Sequence, residues 1–189
     1  MRLKTKIASA LLGLAALPAV AWAGVIGGTY YAPQYDYREF FAAADGRNFQ
    51  VILYGTAFPA VDPGTVAQDL LPMMQAAKPR PALTFTYQDP PERPRPYYRL
   101  VLTFDPANDY GSNSVCAGIP PRFKPNRPGF FYVFAVYCRN DQALSETTAW
   151  TPATAANDAR IAELFRELFQ VVWSDSPALR PQVGGSDRR

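Results

Sequence analysis

Two periods organise the apolar residues of this chain: strict alternation in short segments, and helical spacing in longer ones. The segment Phe130–Cys138 reads Phe-Phe-Tyr-Val-Phe-Ala-Val-Tyr-Cys, nine residues without a charge, proline or glycine. Most are aromatic or β-branched, types that suit a pleated strand. Phe131, Val133, Ala135 and Tyr137 make one alternating face and Phe130, Tyr132, Phe134 and Val136 the other, and both are apolar. A strand apolar on both faces belongs in the interior of a sheet. Four further strands are predicted: residues 48–58 around Val51-Ile-Leu-Tyr54 with Gly55 as a bulge, residues 82–88, residues 97–104 and residues 143–150. The last carries Ser145, Glu146, Thr147 and Thr148, which places it at a sheet edge. Strands 82–88 and 97–104 are expected to run antiparallel, joined by the stiff connector Asp89-Pro-Pro-Glu-Arg-Pro-Arg-Pro96.

Helical spacing is clearest near the C-terminus. Ile161, Leu164, Phe165, Leu168, Phe169, Val172 and Trp173 fall at i, i+3, i+4, i+7, i+8, i+11 and i+12, with Arg160, Glu163, Arg166, Glu167 and Gln170 opposite them. This pattern predicts an amphipathic helix docked on the sheet, capped by Asn157 with Asp158 in its first turn. Its polar face mixes signs, which argues against a helix lying on a membrane. A second helix starts at Asp62 as N-cap with Pro63 at its first position and Val61 packed on Val66, and continues through Leu70, Met73, Met74 and Ala77. Pro72 interrupts it and is expected to kink or shorten it near residues 68–71. Asp36–Ala44 forms a short helix with Phe40 and Phe41 inward and Gly46 beyond its end. Gly24–Ala32 is expected to lie extended over the surface, and Ser174–Arg189 to form a disordered tail. The order implies an α+β domain over residues 24–173, an antiparallel sheet of about five strands with two main helices packed on one face.

Composition bears on where this domain works. Arg2, Lys4 and Lys6, the apolar run Ile7–Val20 and Ala21-Trp22-Ala23 have the pattern of a signal peptide over residues 1–23, cleaved after Ala23. The run is short for a membrane span and contains Pro18, and no cysteine stands at the cleavage point to carry a lipid. A periplasmic protein with no transmembrane segment in its mature chain is expected. The chain holds 19 Lys+Arg and 16 Asp+Glu, and three of the basic residues lie in the signal, so the mature chain is neutral. Neutrality gives no electrostatic case for nucleic acid. In an oxidising compartment the only cysteines, Cys116 and Cys138, are expected to form a disulfide. If 97–104 pairs antiparallel with 130–138, Cys138 lies beside Tyr97, and the strand between spans roughly 30 Å. Residues 105–116 must then fold back along the sheet, and the disulfide holds the 105–129 loop down like a strap.

The chain has no histidine. That count removes Ser-His-Asp and Cys-His catalysis, histidine metal sites and the usual general base. No P-loop or G-x-G-x-x-G is present, and no cofactor is assigned. Asp105-Pro-Ala-Asn108-Asp109-Tyr-Gly111-Ser-Asn113 has the oxygen groups of a calcium loop but neither its register nor its closing glutamate. Turn formation accounts for it, Met73 and Met74 read as core, and no metal site is assigned. Carboxylate chemistry remains. Asp89, Glu92, Asp105, Asp109 and Glu146 are candidates for a paired-acid hydrolase, though no spacing joins any two. The binding candidates are basic and aromatic. With the loop folded back, Arg93, Arg95, Arg99 and Arg139 gather with Tyr97 and Tyr98 at the disulfide end of the sheet, and Arg122, Lys124 and Arg127 extend the cluster. Such guanidiniums bind phosphate, carboxylate or an acidic partner.

Asp45-Gly-Arg-Asn-Phe49, Tyr98–Pro106 with Cys116, and Phe134–Leu144 ending Tyr-Cys-Arg-Asn-Asp-Gln-Ala-Leu resemble a family of uncharacterised exported proteins from alphaproteobacteria. The resemblance covers most of the mature chain, rests on structural motifs and implies export without implying an activity. Some members resemble lipoproteins, from which this chain departs by lacking the lipid-anchor cysteine. The order of helices and strands is also similar to small outer-membrane-associated accessory lipoproteins. The function expected is that of a periplasmic non-enzymatic binding or accessory protein of the cell envelope, taking an envelope protein or an anionic ligand. The alternative is a carboxylate-dependent hydrolase of envelope glycans.

Overall fold

The computed structural model describes residues 24–179. The signal-peptide assignment over 1–23 and the tail from 180 to 189 lie outside the described residues. In chain order the elements are β1 (Val25–Tyr31), α1 (Tyr37–Ala44), β2 (Asn48–Tyr54), α2 (Pro63–Ala77), β3 (Thr84–Thr86), β4 (Tyr98–Phe104), α3 (Ser112–Cys116), β5 (Phe130–Arg139), β6 (Gln142–Pro152) and α4 (Ala159–Val172), then a single 3-10 turn at Pro177–Leu179. The class is α+β, as expected.

The sheet departs from the expected five antiparallel strands. It has six, in the order β1-β6-β5-β4-β2-β3, and it is mixed, because β2 runs parallel to both β3 and β4. The expected antiparallel pairing of 82–88 with 97–104 does not form. Helix α2 lies between β2 and β3 in the chain and acts as a crossover, which returns the chain in its original direction. Residues 87–97 then carry it back again, to start β4 on the other side of β2. The sixth strand is β1, which pairs antiparallel with β6 and is not a surface segment. Its register shifts between Ile26 and Thr29, and a Cβ at Gly27 would sit 2.1 Å from Thr148 Oγ1. Gly27 is there because β1 passes too close to β6 at this point for a side chain.

Strand β6 is therefore interior, and two of its buried polar residues are hydrogen-bonded to neighbouring elements. Ser145 Oγ donates to the Val172 carbonyl at 2.6 Å, and Thr147 Oγ1 lies 3.0 Å from Thr29 Oγ1. Strand β5 is central, as its two apolar faces predict. One sheet face carries α1, α2 and α4, and the main core lies between. All six stripe residues of α4 from Ile161 to Val172 are fully buried there, and Trp173 nearly so. Asp158, not Asn157, caps this helix, its side chain accepting from the Arg160 amide. In α1, Phe40 points inward but Phe41, about 100° further round the helix, is 41% exposed. Strand β2 ends at Tyr54, with Gly55 just past it at φ +76°. Ser174, placed in the expected tail, is buried in the body, and its carbonyl accepts from the Tyr35 hydroxyl.

Helix α2 runs unbroken through Pro72 instead of stopping there. Pro72 and Gln68 are both exposed, so the missing amide and the carbonyl it leaves unpaired face water. Pro72→Ala is accordingly expected to stabilise the fold by about 2–3 kcal/mol. A helix-interior proline costs about 3 kcal/mol against alanine, offset in part by the stiffer unfolded chain, worth up to about 1 kcal/mol. Urea unfolding checks this, and a lower midpoint in the variant contradicts it.

Candidate functional site

The sheet face opposite the three long helices carries a second, smaller core of Val101, Val115, Cys116, Phe134, Val136 and Cys138. The loop after β4 folds back over it as expected, and Cys116–Cys138 is a disulfide with a Cα–Cα distance of 5.5 Å. Cys138 stands opposite Arg99, two positions from the Tyr97 pairing expected and on the same face. At the base of the strap, the Ala107 amide donates to the Arg122 carbonyl and the Lys124 amide to that of Asp105.

Between the strap and the proline-rich connector runs a groove of about 850 Å³. Its floor is Ile52 and Tyr54 of β2 and Val101 of β4. One wall is Val115–Gly118, the other Arg93–Tyr97, and Asn140 and Asp141 close one end. Arg93, Arg95, Tyr97 and Arg99 therefore do meet, as the sequence led us to expect. Ile52, Tyr54, Val115, Asn140 and Asp141 complete the site and were not anticipated, although alternation along β2 already set Ile52 and Tyr54 on one face.

Arg99 is 8% exposed. Its Nη1 donates to the Asn140 carbonyl at 2.6 Å and its Nη2 to the Cys116 carbonyl at 2.5 Å, so it ties the strap to the β5–β6 turn. Among the described residues it forms no ion pair. Burial holds its pKa below the ordinary guanidinium value. The Arg93 and Arg99 guanidiniums lie 5.3 and 5.0 Å from the Tyr97 ring centroid, within cation–π range. Burial raises the Tyr97 pKa against the pull of both arginines, and among the described residues its buried hydroxyl has no hydrogen-bond partner. Arg93 reaches Asp89 at 3.9 Å, both well exposed, while Asp89 accepts from Gln50 Nε2 at 2.6 Å.

Arg139 does not join them. It pairs in register with Tyr98, the position next to Arg99–Cys138, and successive strand residues point to opposite faces. It lies on the helical side, where Nη1 donates to both oxygens of Glu39 at 2.9 and 3.2 Å and Nη2 to Gln142. Arg122, Lys124 and Arg127 do not extend the cluster either. They follow the far end of β4, about 20 Å along the strand. There Arg122 pairs with Asp109, Lys124 sits over Tyr132 and Arg127 over Phe130.

The acid candidates are likewise dispersed. Asp89 and Glu92 lie in the connector before β4, Asp105 and Asp109 in the loop after it, and Glu146 in β6. A smaller cavity of about 510 Å³ on the other side of the connector is lined by Glu39 and Asp89. Glu39 is held by Arg139 and Tyr98, and Asp89 by Gln50. Among the described residues no group of acids or cysteines is arranged to hold a metal ion.

Asp105 has φ +44° and is 8% exposed, and one of its oxygens accepts from Asn126 Nδ2 at 2.9 Å. Burial raises its pKa above the ordinary 3.8, against Lys124, Asn126 and Arg127. The folded state thus binds this proton more tightly than the unfolded state, so stability falls as pH rises from 3.8 through the raised value. Asp105→Asn tolerates the left-handed backbone and keeps an acceptor for Asn126. Its stability is expected to decline less than that of the wild type over this interval. Parallel pH profiles for the two proteins contradict the assignment.

No protein-family model matches the sequence, and no curated protein matches it. Among solved structures the chain is similar to the PelC dodecamer from Paraburkholderia phytofirmans, at 12% identity and a TM-score of 0.38. A single-substitution variant of the same dodecamer gives 11% and 0.39. Each likeness covers 79% of this chain and 96% of the PelC chain. Similarity of this degree carries no argument about fold or function.

Proposed function

We propose that this chain is a periplasmic, non-enzymatic binding or accessory protein of the cell envelope, and that its ligand or partner is anionic and sits in the groove between the strap and the proline-rich connector. The observation that carries this reading is the charge of the groove. Arg93, Arg95 and Arg99 line it against one carboxylate, that of Asp141. Arg99 contributes most, because its hydrogen bonds end on neutral carbonyls and leave a buried positive charge uncancelled. The disulfide fits an oxidising compartment. Among the described residues no helix is long and apolar enough to cross a membrane. The hydrolase alternative needs two carboxylates about 5–10 Å apart across a cleft, and the groove lining holds one.

The test compares immobilised mature protein with its Arg93→Ala/Arg95→Ala double variant and, as a control on the opposite face, Arg139→Ala. A component of an envelope extract is expected to be retained by wild type and Arg139→Ala, to be released by salt, and to be lost in the double variant. Equal retention by all three moves the site elsewhere. New reducing ends in the extract favour the hydrolase.

A further inference from the structure

The groove changes character along its length. Parallel pairing sets Gln50 beside Arg99, Ile52 beside Val101 and Tyr54 beside Thr103. Starting from the arginines, the floor therefore becomes apolar within two residues and stays so to Tyr54, about 13 Å further on. Val101 and Val115 are each 1% exposed, and Ile52 and Tyr54 are half-buried against them. The backbone amides and carbonyls of β2 and β4 point into the ladder between the strands, so this stretch of floor presents side chains only. A cavity of about 850 Å³ is of the size that encloses a small molecule.

Resting on the anion-binding reading above, we infer that the occupant is a single-chain amphipathic anion, its carboxylate or phosphate head at Arg93, Arg95 and Arg99 and its chain along Ile52, Val101 and Tyr54. Three features separate this occupant from other anions. A free phosphate leaves the apolar floor wet and forgoes the gain of covering it. An acidic peptide laid along the floor buries its own amides where nothing answers them. An extended polyanion meets Asp141 in the groove and Asp89 beside Arg93. A single anionic head with an apolar tail has none of these penalties.

The test titrates the mature, disulfide-bonded chain with four probes, each below its micelle concentration: dodecanoate, dodecyl phosphate, dodecyl maltoside and inorganic phosphate. Both dodecyl anions are expected to bind one per chain, at least about tenfold tighter than the other two probes, with amide shifts at Ile52, Tyr54 and Val101. Hydrogen bonds to charged groups are worth roughly 1.5–3 kcal/mol, so Arg93→Ala/Arg95→Ala is expected to weaken both by about ten- to a hundredfold. Arg139→Ala is expected to leave them unchanged. Ile52→Thr is expected to weaken the dodecyl anions and not inorganic phosphate. The tighter of the two anions identifies the head group. Equal binding of dodecyl maltoside, or full affinity in the double arginine variant, overturns the inference. Inorganic phosphate binding as tightly as the amphiphiles overturns it and leaves the anion-binding reading standing. No groove shift with any probe also overturns it, and the retention comparison then decides the broader reading alone.

Discussion

Phe40→Ala is expected to lower stability by about 3–5 kcal/mol, the range for deleting a buried aromatic ring. Phe40 is fully buried at the point where α1, β2, β5 and the end of α4 converge. Its ring stacks on Trp173 with centroids 4.7 Å apart and planes 9° apart, and meets Phe49 and Tyr137 edge-on, each at 5.7 Å. These neighbours also brace one another, since Trp173 contacts Phe49 at 5.7 Å and Tyr137 at 6.0 Å. A cavity among rings that already hold each other apart collapses poorly, which places the loss in the upper part of the range. Phe41 serves as the control. It is the adjacent residue with the same side chain, but 41% exposed, and Phe41→Ala is expected to stay within about 0.5 kcal/mol. Urea midpoints at constant slope measure both. Equal losses at the two positions contradict the orientation of α1.

Replacing Cys116 and Cys138 together with serine is expected to cost about 3 kcal/mol, from the loop of sequence separation 22 that the bond closes in the unfolded chain. For a domain of this size that is roughly 6–12 °C in Tm. The structural consequence is local, unlike that of Phe40→Ala. Helix α3 has five residues and no side-chain cap, too little to hold itself in place. Hydrogen exchange is expected to speed up over residues 112–118 while β5 and α4 keep their protection. The groove loses one wall in that state, so the anion affinity proposed for it is expected to fall with the strap. If the strap amides stay protected in the double variant, the two Arg99 hydrogen bonds hold the strap and the disulfide is secondary.

The groove also shows how far local pattern reaches. Alternation along β4 placed Arg99 on one face and Tyr98 on the other from sequence alone. Setting Arg139 apart from Arg99 needed the parity of the pairing as well, and the expected partnership of Cys138 with Tyr97 already carried it, because a shift of two positions leaves every residue on its face. Phe41 had a similar ambiguity: two adjacent phenylalanines on a short helix do not share a face, and only the position of the sheet decides which points in. The parallel pairing of β2 and β3 was legible in outline, since a helix between two strands is the usual sign of a crossover. The ten-residue-scale connector after β3 obscured it, because it reads equally well as a hairpin loop.

What sequence alone determined are features whose causes lie within a turn or a strand's length of the residue. The Asp62–Pro63 helix start, the buried stripe of α4 and the two apolar faces of β5 follow from period and capping chemistry, and each appears where the pattern sets it. The tertiary structure decided what distant residues cause. Gly27 and Gly28 weaken the strand pattern of β1, and the reason for Gly27, Thr148 and the Trp150 ring, lies more than a hundred residues further along the chain. Ser145 and Thr147 read as solvent-facing until Val172 and Thr29 are there to bond them. The groove is of this second kind. Its charge was visible in Arg93, Arg95 and Arg99, but its apolar floor exists only because residues 87–97 carry the chain from β3 back to the other side of β2, where β4 pairs parallel with it and brings Ile52 and Tyr54 beside them.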